Sequence, residues 1–237
     1  MFFDVNLSIG SWPFRRLQFD RDPHTFFRWL TERGIRRGVV RHAGSPFRMD
    51  LETVNQELGQ TVGSGFIPAF TVHPDYGFWR MIRCRAAVLF PAFHNYSLTA
   101  EHTLEMAGHL VRQGTVLHIV VREEDERNQH PRCLVPAVSP AEIAAFSDRL
   151  PDAVIVLLNA SRTEILQLKN HPRIYTDIAF YEPFNPDPEL IPNLLFGSHA
   201  PFFYPLAAIR KTEMIAHEDW KHRISSAAAE RIYGLSV

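Results

Sequence analysis

Eight short apolar, β-rich runs alternate along the chain with stretches of helical periodicity. This alternation predicts an α/β fold with a parallel sheet, a (β/α)8 or TIM barrel in one domain over residues 1–237. Two further observations favour a closed barrel. Six of the runs end in polar residues, at Asn6 and Ser8, His42, His73, Arg122, Asn159 and His199, so that several strand ends converge on one polar site. The doubly wound alternative lacks its usual mark, because no run is followed by Gly-x-Gly-x-x-Gly or a phosphate-binding Lys loop.

Each element has a local reason. Phe2–Ser8 alternates apolar and polar residues and reads as the first strand. Asp22 before Pro23 reads as an N-cap and first-turn proline, opening a helix over Pro23–Arg33. Gly38–His42, Phe66–His73 and Ala87–Phe93 are the next strands, with a helix over Leu51–Val62 and only a short or irregular one over Asp75–Arg83. A helix over Ala100–Arg112 precedes the fifth strand, Val116–Arg122, which places His118, Val120 and Arg122 on one face. Ser139-Pro140-Ala141-Glu142 and Ser161-Arg162-Thr163-Glu164 read as capping boxes for helices over Pro140–Arg149 and Thr163–Lys169, either side of a strand at Val154–Asn159. The seventh strand, Ile174–Phe180, carries Asp177 on the same side as Ala179 and Tyr181, and proline-rich Pro183–Pro192 is irregular. In the eighth, Leu194–Ser198, Gly197 allows close backbone approach and Pro201 ends the strand. C-terminal helices from about residue 206 cover Leu206–Ile215 and Trp220–Tyr233, the last closed by Gly234.

Composition narrows the function classes. The chain is 46% hydrophobic with a net charge of -1 and scattered basic residues, which supplies no electrostatic footprint for nucleic acid or a membrane surface. A small molecule is the expected partner, and a homo-oligomer is left open. Cys84 and Cys133 are too few for a disulfide framework and have no zinc-site spacing, which fits a reducing compartment. With no targeting or membrane-spanning run, the expected location is cytoplasmic.

Four segments in order carry a resemblance: Phe3-Asp4-Val5-Asn6-Leu7-Ser8, Leu89-Phe90-Pro91-Ala92-Phe93-His94, Leu195-Phe196-Gly197-Ser198-His199-Ala200-Pro201, and Ala227-Ala228-Ala229-Glu230-Arg231-Ile232-Tyr233-Gly234-Leu235. Together they resemble the amidohydrolase superfamily, in its amidohydrolase-related group of metal-dependent barrel hydrolases and decarboxylases. The third looks like that group's Gly-Ser-Asp-x-Pro, and the fourth like its Asn-Ala-x-Arg-Leu-Phe-x-Leu tail. The resemblance implies metal ligands where this chain has other residues: Asn6 and Ser8 replace a His-x-His pair, Asn159 a sixth-strand histidine, and His199 the late aspartate. Amide and hydroxyl oxygens are poor substitutes for imidazole and carboxylate in holding a divalent transition metal, so no cofactor is expected. Were zinc held, His199 and His118 would be its first ligands.

The candidate catalytic residues are His199, as general acid or base, and Asp177, as an inward carboxylate. Their structural alternatives are a hydrogen-bonded core histidine and a salt-bridge partner. The candidate substrate-binding residues are Asn6, Ser8 and Asn159, placed to hold a developing oxyanion or else to plug a former metal site, with Arg122 for a carboxylate and His94 beside them. His42 and His73 read as structural or pocket-lining. The charged run Arg122–His130 is either a solvated face or an active-end loop, and Arg15-Arg16 after Trp12-Pro13-Phe14 suggests an aromatic flap over the mouth. The reading is a hydrolase or decarboxylase-like lyase with an altered, metal-free site, acting on a small and anionic carboxylate, lactone, ester or amide. The competing reading is a non-catalytic barrel that binds a ligand or protein partner.

Overall fold

The computed structural model describes residues 1–19, 22–182 and 190–235. Eight parallel strands pair in chain order: β1 Phe2–Ile9, β2 Ile35–His42, β3 Phe66–Thr71, β4 Ala86–Leu89, β5 Val116–Val120, β6 Ile155–Leu158, β7 Ile174–Asp177 and β8 Leu194–Leu195. The ring closes where Val5 N donates to Phe196 O at 3.0 Å and Ser8 N to Ala200 O at 2.9 Å. The molecule is a (β/α)8 barrel, as the alternation predicts. Its helices are α1 Pro23–Thr31, α2 Leu51–Thr61, α3 Pro91–His94, α4 Glu101–Arg112, α5 Pro140–Arg149, α6 Arg162–Gln167, α7 Leu206–Glu213, α8 Glu218–His222 and α9 Ala228–Ile232, with a π-turn at Arg223–Ala227 joining the last two. Asp75–Arg83 holds only the 3-10 turn Gly77–Arg80. Most of the expected irregular stretch Pro183–Pro192 lies outside the described residues.

The core has two shells. Phe3, Val39, Ala69, Val88, Val116, Val156 and Leu195 fill the barrel interior, closed below by Ala228, Ala229 and Tyr233 of the C-terminal segment. Leu7, Val40, Leu89, Leu117 and Leu157 face outward, against Phe26, Leu30, Leu58, Met106 and Phe146 of the helices. Pairing slips on β1 between Asp4 and Leu7, so Phe3 and Val5 point inward while Leu7 and Ile9 join the outer shell. Such a slip re-aims the side chains beyond it, here turning Asn6 and Ser8 to the interior.

Several strands are shorter than expected, each for a local reason. β4 stops at Leu89 because Pro91 opens α3. β7 stops at Asp177, whose Oδ1 accepts from Ala179 N at 2.8 Å and turns the chain. β8 ends after two residues, and His199 takes a left-handed φ of 58°. The α6 capping box forms as predicted, and Asp22 caps α1 by accepting from Thr25 N. The α5 box does not form: Glu142 reaches away from Ser139 and accepts from Ser97 Oγ at 2.9 Å and Leu98 N at 2.8 Å.

Candidate functional site

Four of the residues singled out from sequence meet at the C-terminal strand ends, where barrels of this architecture build their sites. Asn6 Nδ2 donates to Asn159 Oδ1 at 2.7 Å and to Asp177 Oδ2 at 2.8 Å. Asp177 Oδ2 also accepts from Asn159 N at 3.0 Å, and Asn159 Nδ2 donates to Arg122 O at 2.8 Å. Gly197 permits this approach: a Cβ there would stand 2.5 Å from Asp177 Cβ and 3.2 Å from Asn6 Cβ. Burial pushes the Asp177 carboxyl up to about 6, against the pull of its hydrogen bonds.

Arg41, on β2, joins His199 to this network. Its guanidinium donates to Glu123 Oε1 at 2.6 Å and faces Asn6 Oδ1 at 3.5 Å and His199 Nδ1 at 3.4 Å. His199 Nε2 lies 2.9 Å from Glu123 O, so Nε2 carries the proton and Nδ1 is the acceptor toward Arg41. Burial, and then the Arg41 charge, hold the imidazole well below its ordinary range, so His199 is neutral at pH 7. Arg41, Glu123 and His199 are all essentially without exposed surface.

The remaining candidates lie around this network, and of them Arg122 alone is hydrogen-bonded to it among the described residues. Ser8 pairs in register with Arg41, and its Oγ makes no hydrogen bond among the described residues. His118 lies deeper in the barrel, 2.5 Å from Tyr233 Oη. His94 packs among Phe90, His73 and Tyr96 near the ends of β3 and β4. His42 lines shallow surface clefts outside the barrel, on the opposite face of β2 from Arg41. Arg122 reaches outward to Glu164 in a two-pronged ion pair and donates to Asn159 O at 3.1 Å. For Glu164, burial is outweighed by the hydrogen bonds from Arg122 and Ser161, which keep its carboxyl low.

Sequence reasoning missed Arg41 and Lys211, took Glu164 only as a helix cap, and took Glu123 only as one residue of the charged run. Alternation inward from Val39 was the signal for Arg41. Glu123 lay within the charged run, yet it is buried, whereas Arg127 of the same run is exposed and tied to Asp125. Lys211 is buried on α7, donating to Ile178 O and Ala179 O at 3.0 Å each, and burial lowers its pKa.

An aromatic lid covers the network. Trp12, Phe14, Phe47, Phe93 and Phe202 pack edge to face, Phe202 stacks on His199 at 4.6 Å, and Arg15 bridges to Glu124 at 2.9 Å. Beside it opens a cleft of about 740 Å³ between the loops after β5, β6 and β7. Arg122, Arg127, Arg162 and Lys211 line it with Asp125, Glu126 and Glu182, and Phe180 and Phe203 form the wall toward His199.

Neither a family profile nor a curated protein matches the sequence. Solved structures do. A putative amidohydrolase from Staphylococcus aureus superposes with a TM-score of 0.73 at 10% identity, over 99% of each chain. This chain shares that structure's barrel fold. A dihydroxybenzoic acid decarboxylase from Polaromonas with bound manganese and 2-nitroresorcinol gives 0.71 at 12% identity, covering 99% of this chain and 98% of that one. A 5-carboxyvanillate decarboxylase from Sphingomonas paucimobilis gives 0.70 at 13%, over 99% of both. At these identities the likeness is one of fold.

A divalent ion such as the manganese bound by the Polaromonas decarboxylase does not suit the residues present. Among the described residues no three His, Cys, Asp or Glu side chains converge as ligands. At the strand ends the donors are two amides, one neutral imidazole and the carboxylates of Asp177 and Glu123, the first already bonded by Asn6 and Asn159 and the second by the Arg41 guanidinium, which also lies against Asn6 and His199.

Proposed function

We propose that this chain is a small-molecule hydrolase or lyase of the amidohydrolase type that takes a small carboxylate in the cleft between the β5, β6 and β7 loops and works without a metal. The cleft itself carries the reading: it opens at the C-terminal strand ends, four cationic side chains line it against three carboxylates, and two phenylalanine rings separate it from His199. Decarboxylases named for dihydroxybenzoic acid and 5-carboxyvanillate share the fold, which supports a carboxylate ligand. In this reading Arg122, oriented by Glu164, binds the carboxylate. Neutral His199 accepts a proton at Nδ1 once Phe180 and Phe203 part and the Arg41 guanidinium releases that atom, and Asn6 and Asn159 supply the polar ground around the reacting group.

A second reading is favoured by one observation, that His199 is enclosed with both ring nitrogens engaged. The barrel then binds its ligand without transforming it. Calorimetry with small carboxylates, lactones, esters and neutral amides tests both. Carboxylates should bind best, and Arg122→Lys should weaken them about tenfold, because a point charge does not reproduce the guanidinium fork. Equal binding of neutral amides by the unaltered chain would refute a carboxylate site.

A further inference from the structure

Glu123 is fully buried behind the aromatic lid, and a buried carboxylate needs a positive partner. One structure of the same fold holds manganese, whereas here no three His, Cys, Asp or Glu side chains converge as ligands among the described residues. We propose that the guanidinium of Arg41 is a resident cation, built into the chain where the positions of Asn6 and His199 imply a metal.

Geometry, charge and chemistry support this separately. The guanidinium meets three acceptor atoms from three different chain segments: Glu123 Oε1 beyond β5 at 2.6 Å, Asn6 Oδ1 on β1 at 3.5 Å and His199 Nδ1 beyond β8 at 3.4 Å. A carboxylate oxygen, an amide oxygen and an imidazole lone pair all favour a positive charge, and the guanidinium already occupies that position. Arg41 is also the one buried arginine among the described residues, and its guanidinium lies over the Phe90 ring at 5.9 Å. A guanidinium offers several donors in one plane and cannot be lost by dilution or chelation, so it fastens the ends of β1, β2 and β8 permanently. It supplies no Lewis acid, however, and its charge repels a divalent ion brought to the same acceptors. The assignment stands whether or not the cleft turns a substrate over.

Charge must be separated from packing, and thermal melts of the full chain do so. Arg41→Met keeps most of the volume but strands Glu123, and should lower Tm by roughly 6 °C or more. Adding Glu123→Gln in the same chain removes the stranded charge and should recover at least half of that loss. Arg41→Lys keeps a point charge for Glu123 but not the fork, and should fall between wild type and Arg41→Met. In parallel, wild type dialysed against Zn2+ or Mn2+ should show no rise in Tm. A double variant no better than Arg41→Met, or Arg41→Lys melting as the wild type does, would overturn the assignment. So would a metal-induced rise of several degrees in wild type that disappears in His199→Asn. If Arg41→Met does not fold, the Arg41→Lys and metal arms still decide the matter.

Discussion

Buried titratable side chains near the barrel mouth leave a signature in pH. Burial together with the neighbouring His73 holds the His94 pKa down to about 4. The sign follows from linkage. An imidazole whose native pKa is depressed contributes fully above the unfolded value near 6.5, and its contribution is lost as pH falls from there toward 4. His94→Phe fits the same aromatic cluster and removes this acid sensitivity, so the variant should gain about 1–2 kcal/mol over wild type at pH 5 and little at pH 8. Urea melts at the two pH values check this, and equal differences at both would contradict it. Asp4 and Asp177 act in the opposite sense: burial raises them to about 7 and 6, so the native state takes up their protons first and gains stability as pH falls toward 4. At this scale the sequence was partly legible. Asn6, Asn159 and His199 could be found because a polar residue ending an apolar run has little reason to be there except a polar neighbour. Arg41 was hidden because the run was read to its last residue, His42, whose side chain lies on the other face of the strand.

Single elements show where local rules held and where tertiary contacts overrode them. Two capping boxes have the same pattern, but Glu142 is drawn to Ser97 and Leu98 across the molecule, and only Glu164 turns back to its own helix end. Glu164 then serves twice, holding Ser161 and orienting Arg122. Glu164→Ala should therefore cost about 1–2 kcal/mol in stability and weaken carboxylate binding by roughly tenfold. Denaturant melts and calorimetry on the same preparation measure the two effects. A stability loss with binding unchanged would remove Arg122 from the site. Strand ends were the least legible feature, because β4 and β7 stop where a proline or an aspartate side chain intervenes, while apolar character continues beyond.

Across the whole molecule, the alternation of runs revealed eight strands and their parallel order, since each helical stretch returns the chain to the same end of the sheet. It did not reveal which residues close the floor. Tyr233, from the C-terminal segment, reaches His118 inside the barrel, and burial followed by the Arg41 charge pushes that imidazole down to about 3. Tyr233→Phe should cost about 1–3 kcal/mol, because it leaves a buried ring nitrogen without its partner. Unaltered melting would show that the pair contributes nothing to the floor. No helix among the described residues is long and apolar enough to cross a membrane.

Metal-free chemistry on a small carboxylate is tested most directly by turnover. Chelator-treated protein is incubated with a panel of small aromatic and aliphatic carboxylates, lactones and esters, and products are followed by NMR with and without added Zn2+ or Mn2+. The account predicts product from at least one carboxylate-bearing compound, at a rate that added metal does not raise and His199→Asn abolishes. Product that appears only after metal is restored, or none from any compound that binds, would contradict it.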